Sequence, residues 1–273
     1  ANLIDILPEL INILKKEYKD KTSSDNWLKL TKQWKEKYPV DLPEYKDQKE
    51  INSYHFMHEF SKKVPSNTLF AVDTGSCFHV HAQAFKVKFG QRHIITGGLS
   101  TMGYSPSSIG VAVSSKEKKD VYCISGDGSI QMNFQTIAYY NLPIKTIIIN
   151  NDGYLLIRLT QKNFCENRLI GESDKNGVGF PNMEKVADLY GIKYLSIKTN
   201  QELDEKISEL INYKGPMICE VFTGREQLLI PRVASKKEDD GKIISMPYDD
   251  MFPFLSREEY EYNKLKAKEC RKN

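Results

Sequence analysis

The chain has 273 residues, 40% of them hydrophobic and 27% charged, with a formal net charge of +3. This length and apolar content support a sizeable core, arranged as one large domain with appendages. The near-neutral balance, with Lys interspersed among Glu and Asp, reads as solvated surface and gives no basis for a nucleic-acid partner. No apolar run approaches a membrane span, and the N-terminus lacks a signal-peptide layout. The five cysteines (Cys77, Cys123, Cys165, Cys219, Cys270) are odd in number and lack metal-ligand spacing, as expected of reduced thiols in a cytoplasmic protein.

Residues 1–48 carry helical periodicity. Leu3, Ile4, Leu7, Leu10, Ile11 and Leu14 recur at three- and four-residue steps, giving one apolar face ahead of the Lys-rich run Lys15–Lys19. Ser24-Asp25 is placed to cap a second helix holding Trp27, Leu28, Leu30 and Trp34, which Pro39 and Pro43 then break. The first residue is Ala1, which fits a fragment, a processed chain or removal of an initiator Met.

The run Ser53–Phe60 predicts an amphipathic helix, and Thr68–Val72 a strand that delivers Asp73-Thr74-Gly75-Ser76 at its carboxyl end. His79 and His81 alternate without a third ligand, so they read as surface or core histidines. After His93–Thr96, a glycine-rich turn through Gly97, Gly98 and Gly103 feeds a helix over Ile109–Val113. Such a turn lets backbone approach a flat ligand closely.

The informative stretch runs from Gly126 to Tyr154. Val121–Ile124 and Ile147–Ile149 are uniformly apolar, as expected of parallel strands covered on both faces. Each ends in a polar cluster, and ligands of open α/β sheets gather at such carboxyl ends. Asp127 offers a carboxylate, Asn151 an amide oxygen and Gly153 a backbone carbonyl. Three hard oxygens suit Mg²⁺, which fills its remaining positions with water and phosphate oxygens. Ser129 is expected to start the intervening helix, whose N-terminus favours an anion. The chemistry is that of a metal-bridged diphosphate.

Leu155–Gln161 predicts a helix, with Arg158 placed either to meet a substrate carboxylate or phosphate or simply to be exposed. Residues 163–179 are polar and glycine-bearing, as expected of a mobile flap. A helix follows Phe180-Pro181, capped by Asn182, and strand Tyr194–Ile197, helix Glu202–Tyr213 and strand Met217–Val221 continue the alternation. From Thr223 onward the chain predicts an extended wrapping segment, then a basic helix over Tyr260–Asn273. The fold class is therefore α/β: a doubly wound, mostly parallel sheet with helices on both faces, plus an N-terminal helical linker and an extended C-terminal tail. The expected boundaries are 1–48, 49–222 and 223–273.

GDGS at Gly126–Ser129, followed by a helix, an apolar strand and NNDGY at Asn150–Tyr154, resembles the diphosphate-binding motif of the thiamine-diphosphate enzymes. Acetolactate synthase and its sugar-cluster and decarboxylase relatives are the nearest look-alikes. GGLSTMG at Gly97–Gly103 and the tail around Asp250-Met251-Phe252-Pro253-Phe254-Leu255 are also similar to that family. The resemblance implies thiamine diphosphate and Mg²⁺ as cofactors. Asp127, Asn151 and Gly153 would hold the metal. Thr74, Gly75, Ser76, Cys77, Gly128 and Ser129 would contact the diphosphate. Backbone at Ser100 and Met102 would hold the aminopyrimidine, with the Met102 side chain wedged beneath the bent cofactor. Tyr154 and Leu155 would border it.

There are also departures from the family pattern. Ser76 and Cys77 stand where relatives commonly carry Gln and then His or Asn. The Asp127–Asn151 interval is about three residues short, close to one helical turn, so either the helix is clipped or the ligands shift. The turn at Tyr104-Ser105-Pro106 is one residue short. In the family the glutamate that activates the cofactor lies on a pyrimidine-binding domain of a neighbouring subunit. No stretch here resembles that domain, so no catalytic acid or base is assigned. Residues 1–48 would match the end of a central domain and its linker, or equally a helical cap. The implied activity is decarboxylation and carboligation of a 2-keto acid such as pyruvate by a homo-oligomer. The alternative is an inactive cofactor-binding fragment or degenerate paralogue acting through a partner chain.

Overall fold

The computed structural model describes residues 2–17, 23–115, 119–130, 133–237 and 242–272. In chain order, helices α1 (Leu3–Glu17) and α2 (Ser23–Lys37) lead to a 3-10 turn at Pro43–Asp47. There follow α3 (Ser53–Lys63), β1 (Leu69–Val72), α4 (Ser76–Ala84), β2 (Arg92–Ile95), α5 (Ser107–Ser114), β3 (Val121–Gly126), α6 (Phe134–Tyr139) and β4 (Ile144–Asn150). The remainder is α7 (Leu155–Phe164), α8 (Met183–Tyr190), β5 (Lys193–Ile197), α9 (Leu203–Asn212), β6 (Met217–Phe222), β7 (Ser235–Lys237), β8 (Ile243–Ser245) and α10 (Arg257–Lys272).

The six apolar runs form one all-parallel sheet in the order β2-β1-β3-β4-β6-β5. Side chains on a strand alternate between faces, and the sheet buries both sets. Tyr122, Ile124, Ile147, Ile149, Cys219 and Val221 meet α3, α4, α7 and α9 on one face. Val121, Cys123, Ile144, Ile148 and Ile218 meet α5, α6 and α8 on the other. The fold is thus doubly wound, as the sequence predicts. Because β1 passes to β2 on one side and β3 lies on its other side, the strand order reverses between β1 and β3. That crevice is where an open α/β sheet collects its ligand.

The chain divides into two compact units, Val40–Leu229 and a second formed by Ala1–Pro39 with Ile230–Asn273. Residues 40–48 and 223–229, expected outside the sheet domain, belong to the first unit. In the second unit, α2 and α10 are joined by polar contacts. Trp34 Nε1 donates to Asn263 Oδ1 at 3.1 Å, and the Tyr38 hydroxyl donates to Glu259 Oε1 at 2.6 Å. Within the extended tail, β7 and β8 pair as an antiparallel hairpin that the sequence pattern does not announce. Helix α2 begins at Ser23, so Ser24 lies in its first turn rather than ahead of it, and the end of the Lys-rich run, residues 18–19, lies outside the described residues.

Around α3 the core is aromatic. Phe60 is fully buried and packs with Phe56, Phe70, Phe85 and Tyr122 at centroid separations of 5.2–6.5 Å. Truncation there leaves a cavity that rigid strands cannot close. Phe60→Ala is expected to cost about 3–5 kcal/mol, read as a lower urea midpoint at unchanged slope.

Candidate active site

The site begins with one buried carboxylate. Asp73 directly follows β1, is 1% exposed, and its carboxylate accepts four hydrogen bonds, three from separate loops and one from strand β3. Its Oδ1 takes the N–H groups of Thr74 at 2.7 Å and Tyr104 at 3.2 Å. Its Oδ2 takes the hydroxyls of Ser125 at 2.8 Å and Ser129 at 2.7 Å. The Ser129 hydroxyl in turn accepts from Gly103 N–H at 2.7 Å. The loop after β1, the glycine-rich turn after β2 and the turn after β3 are therefore held together. Ser129 does not start a helix, because Asp127–Ser129 form a turn and α6 begins only at Phe134. Its hydroxyl serves Asp73 instead. Residues 131 and 132 of the expected helix lie outside the described residues, and α6 spans six residues.

A second carboxylate joins the turns after β3 and β4. Asp127 is 5% exposed; Oδ1 accepts from Gly128 N–H and Oδ2 from Gly153 N–H, both at 2.9 Å. Burial pushes its carboxyl up to about 6, against the pull of the N–H donors of Gly153, Gly128 and Asn151. Among the described residues no cationic side chain pairs with it. Beside it the Asn151 Oδ1 is buried without a hydrogen-bond partner, while Asn151 Nδ2 donates to Ser76 Oγ at 3.4 Å. A buried carboxylate with no cation and an orphaned amide oxygen are the donors a hard divalent ion takes. Both glycines are required by close approach. A Cβ on Gly128 would lie 2.2 Å from the Tyr154 ring, and one on Gly153, whose φ is +130°, would lie 2.0 Å from the Glu172 carbonyl oxygen.

Arg158 is neither exposed nor aimed at a substrate. It is fully buried, and its Nε donates to Glu172 Oε2 at 2.5 Å. Its other nitrogens donate to the carbonyls of Asn151 at 3.2 Å, Asp152 at 2.6 Å and Arg225 at 2.8 Å. The planar guanidinium thus clamps the turn that carries Asn151 and Gly153. The expected flap at 163–179 is anchored at its middle: Glu172 and Ser173 are fully buried, and Tyr154 N–H donates to the Glu172 carbonyl at 2.7 Å. Burial pushes the Glu172 carboxyl up, but hydrogen bonds from Ser173, Asn176 and Arg158 together outweigh it and hold the group at about 2.

These loops surround a cavity of about 250 Å³. Thr74, Gly75, Ser76, Ser100, Met102, Asp127, Gly128, Ser129, Asn151, Gly153, Tyr154 and Leu155 all line it. Of the expected cofactor- and metal-contacting residues, only Cys77 is turned away; it is buried, and its thiol donates to the carbonyls of Thr74 at 2.8 Å and Asp73 at 3.4 Å. Helices α4 and α7 both start at the cavity, N-capped by Gly75 and Tyr154 with no side-chain cap. Their first-turn N–H groups remain available to an anion, which the helix dipoles also favour. Asp73, Arg158 and Glu172 are the organising residues that motif reading passes over. The signal for Asp73 was its place at the end of a buried strand.

The match to known proteins agrees with this geometry. Residues 73–221 match the family described as thiamine pyrophosphate enzyme, C-terminal TPP binding domain. The chain belongs to this family. It is a C-terminal TPP-binding domain of the acetolactate-synthase-like kind. The acetolactate synthase large subunit of Cyanidium caldarium is 31% identical over 240 residues, covering 86% of this chain and 40% of that protein. The acetolactate synthase isozyme 1 large subunit of Escherichia coli (strain K12) is 26% identical over 237 residues, or 85% and 40% of the two chains. The probable acetolactate synthase large subunit of Methanococcus aeolicus is 32% identical over 227 residues, or 80% and 37%. The chain thus spans about two-fifths of the length of these relatives. Among the described residues no helix is long and apolar enough to cross a membrane.

Two outcomes follow for this TPP-binding domain. Asp73→Ala leaves four donors without their acceptor, so it is expected to cost about 3 kcal/mol or more in urea unfolding and to weaken cofactor binding. A metal held by Asp127 would have to compete with the proton on its carboxyl. Affinity for Mg²⁺, followed by calorimetry, is therefore expected to fall as pH drops through about 6, with proton release on binding near that pH. Asp127→Asn should abolish that proton release.

Proposed function

We propose that this chain is the diphosphate- and metal-binding portion of a thiamine-diphosphate-dependent 2-keto acid decarboxylase or carboligase, with pyruvate as donor. The observation that carries the reading is the junction of Asp127 with Gly153 beside the unpartnered Asn151 oxygen. Asp127 and Asn151, with the Gly153 carbonyl, would hold Mg²⁺. Thr74, Gly75, Ser76, Gly128 and Ser129, with the N-termini of α4 and α7, would receive the diphosphate. Ser100 and Met102 would support the pyrimidine and its bend, and Tyr154 and Leu155 would border the thiazolium.

When bound, the cofactor supplies the electron sink for loss of CO₂ from a 2-keto acid and transfer of the remaining fragment. This chain's residues contribute binding, orientation and exclusion of water. Ser100 and Met102 would hold the cofactor's rings in one orientation, and positioning of that kind lowers a barrier. Met102, at the cavity wall and half exposed, is placed for that support. The carboxylate that activates the pyrimidine would come from a pyrimidine-binding segment on another domain or subunit, in a homo-oligomeric enzyme.

Asp127→Ala tests the assignment. Loss of an outer partner of a metal site alone costs about 10–100-fold in affinity, so loss of this ligand should reduce metal-dependent thiamine diphosphate binding by at least that factor in titration calorimetry. Unchanged binding would refute the site. Supplying a chain that bears the pyrimidine-binding domain should yield CO₂ from pyruvate. Tight cofactor binding without CO₂ release would instead favour an inactive paralogue.

A further inference from the structure

A second group of ligand-type side chains lies on α3, on residues that the thiamine site does not use. Asp41, in the segment ahead of the 3-10 turn, comes together with His58 and Glu59, and their ligating atoms all lie within 4.8 Å of one another. His58 Nε2 is 3.8 Å from Asp41 Oδ2. His55, one helical turn before His58, places Nδ1 3.1 Å from Asp41 Oδ1 and 3.3 Å from Asp41 Oδ2. The side chains of Asp41, His55 and His58 are only 14–16% exposed.

We propose that Asp41, His58 and Glu59 form a binding site for a borderline divalent cation such as Zn²⁺, with His55 orienting the Asp41 carboxylate. One imidazole nitrogen and two carboxylate oxygens make a mixed donor set that suits Zn²⁺ and leaves a fourth position for water. It contrasts with the all-oxygen set at Asp127, which suits Mg²⁺. Burial, then the charge of Lys86, lowers the basicity of His58 against the pull of Asp41. His55, within reach of both Asp41 oxygens, is the outer partner that fixes that ligand's orientation. The competing contact is Lys62, whose ammonium sits 2.6 Å from Glu59 Oε1. That side chain is half exposed on a flexible stem, so it can yield to an ion. A bound ion would fasten the Asp41 segment to α3.

The test is Zn²⁺ titration calorimetry on the full chain carrying Asp127→Ala and Cys165→Ser, which silence the first site and the exposed thiol. One equivalent of Zn²⁺ is expected to bind and to resist displacement by excess Mg²⁺. Asp41→Asn, His58→Gln and Glu59→Gln should each weaken it by about tenfold or more. Lys62→Met, which removes the competing ammonium without touching a ligand, should tighten it several-fold. Absence of saturable uptake would overturn the site, as would uptake indifferent to His58→Gln or displaced by Mg²⁺.

Discussion

Four hydrogen bonds to the Asp73 carboxylate are the constraint on which the candidate site depends. A carboxylate has about four lone-pair positions. Here they are filled by Thr74, Tyr104 and Ser129, drawn from three different loops, and by Ser125 at the end of β3. Parallel strands β1 and β3 lie side by side, so their carboxyl ends bring those loops within reach. The hydrogen bonds then fix the loops relative to one another. A charge removed from water this completely is tolerable because every lone pair is satisfied. Its satisfaction requires the hydroxyls at 125 and 129 and the short turn that presents the Tyr104 N–H.

A second layer rests on this one. Asp127, on the same turn as Ser129, reaches across to Gly153, and Arg158 fixes the turn of Gly153 from behind through the carbonyls of Asn151 and Asp152 and ties it to that of Arg225. Glu172 balances the buried guanidinium, so the segment that follows α7 is tied to the site floor. The pairing of Arg158 with Glu172 places no charge in the cavity. What faces the cavity is Asp127, the amide oxygen of Asn151 and the starts of two uncapped helices. The arrangement sets oxygen donors suited to a cation opposite N–H donors suited to an anion, the combination that a metal-bridged diphosphate needs.

Much of this was legible in the chain. The uniformly apolar runs at 121–124 and 147–149 announce strands buried on both faces, and the polar residues just beyond them announce the ligand. Twelve of the thirteen residues named from motif reading line one cavity, and only Cys77 does not. The misreadings have physical causes. Ser129 looked like a helix cap because the motif precedes a helix, but its hydroxyl has a stronger acceptor in Asp73. Arg158 looked exposed because nothing local predicts Glu172, fourteen residues away, as its partner. The β7–β8 hairpin escaped because three-residue strands carry too little periodicity to register.

The central claim is that Asp127 and Asn151 share one ion with the cofactor's diphosphate. Its most direct test is a crystal structure of the protein grown with Mn²⁺ and thiamine diphosphate, with the ion located by anomalous scattering. The account predicts a single strong peak bonded to an Asp127 oxygen, to Asn151 Oδ1 and to the diphosphate. A cofactor bound with the Asn151 oxygen still unpartnered, or an ion seated away from both turns, would contradict it.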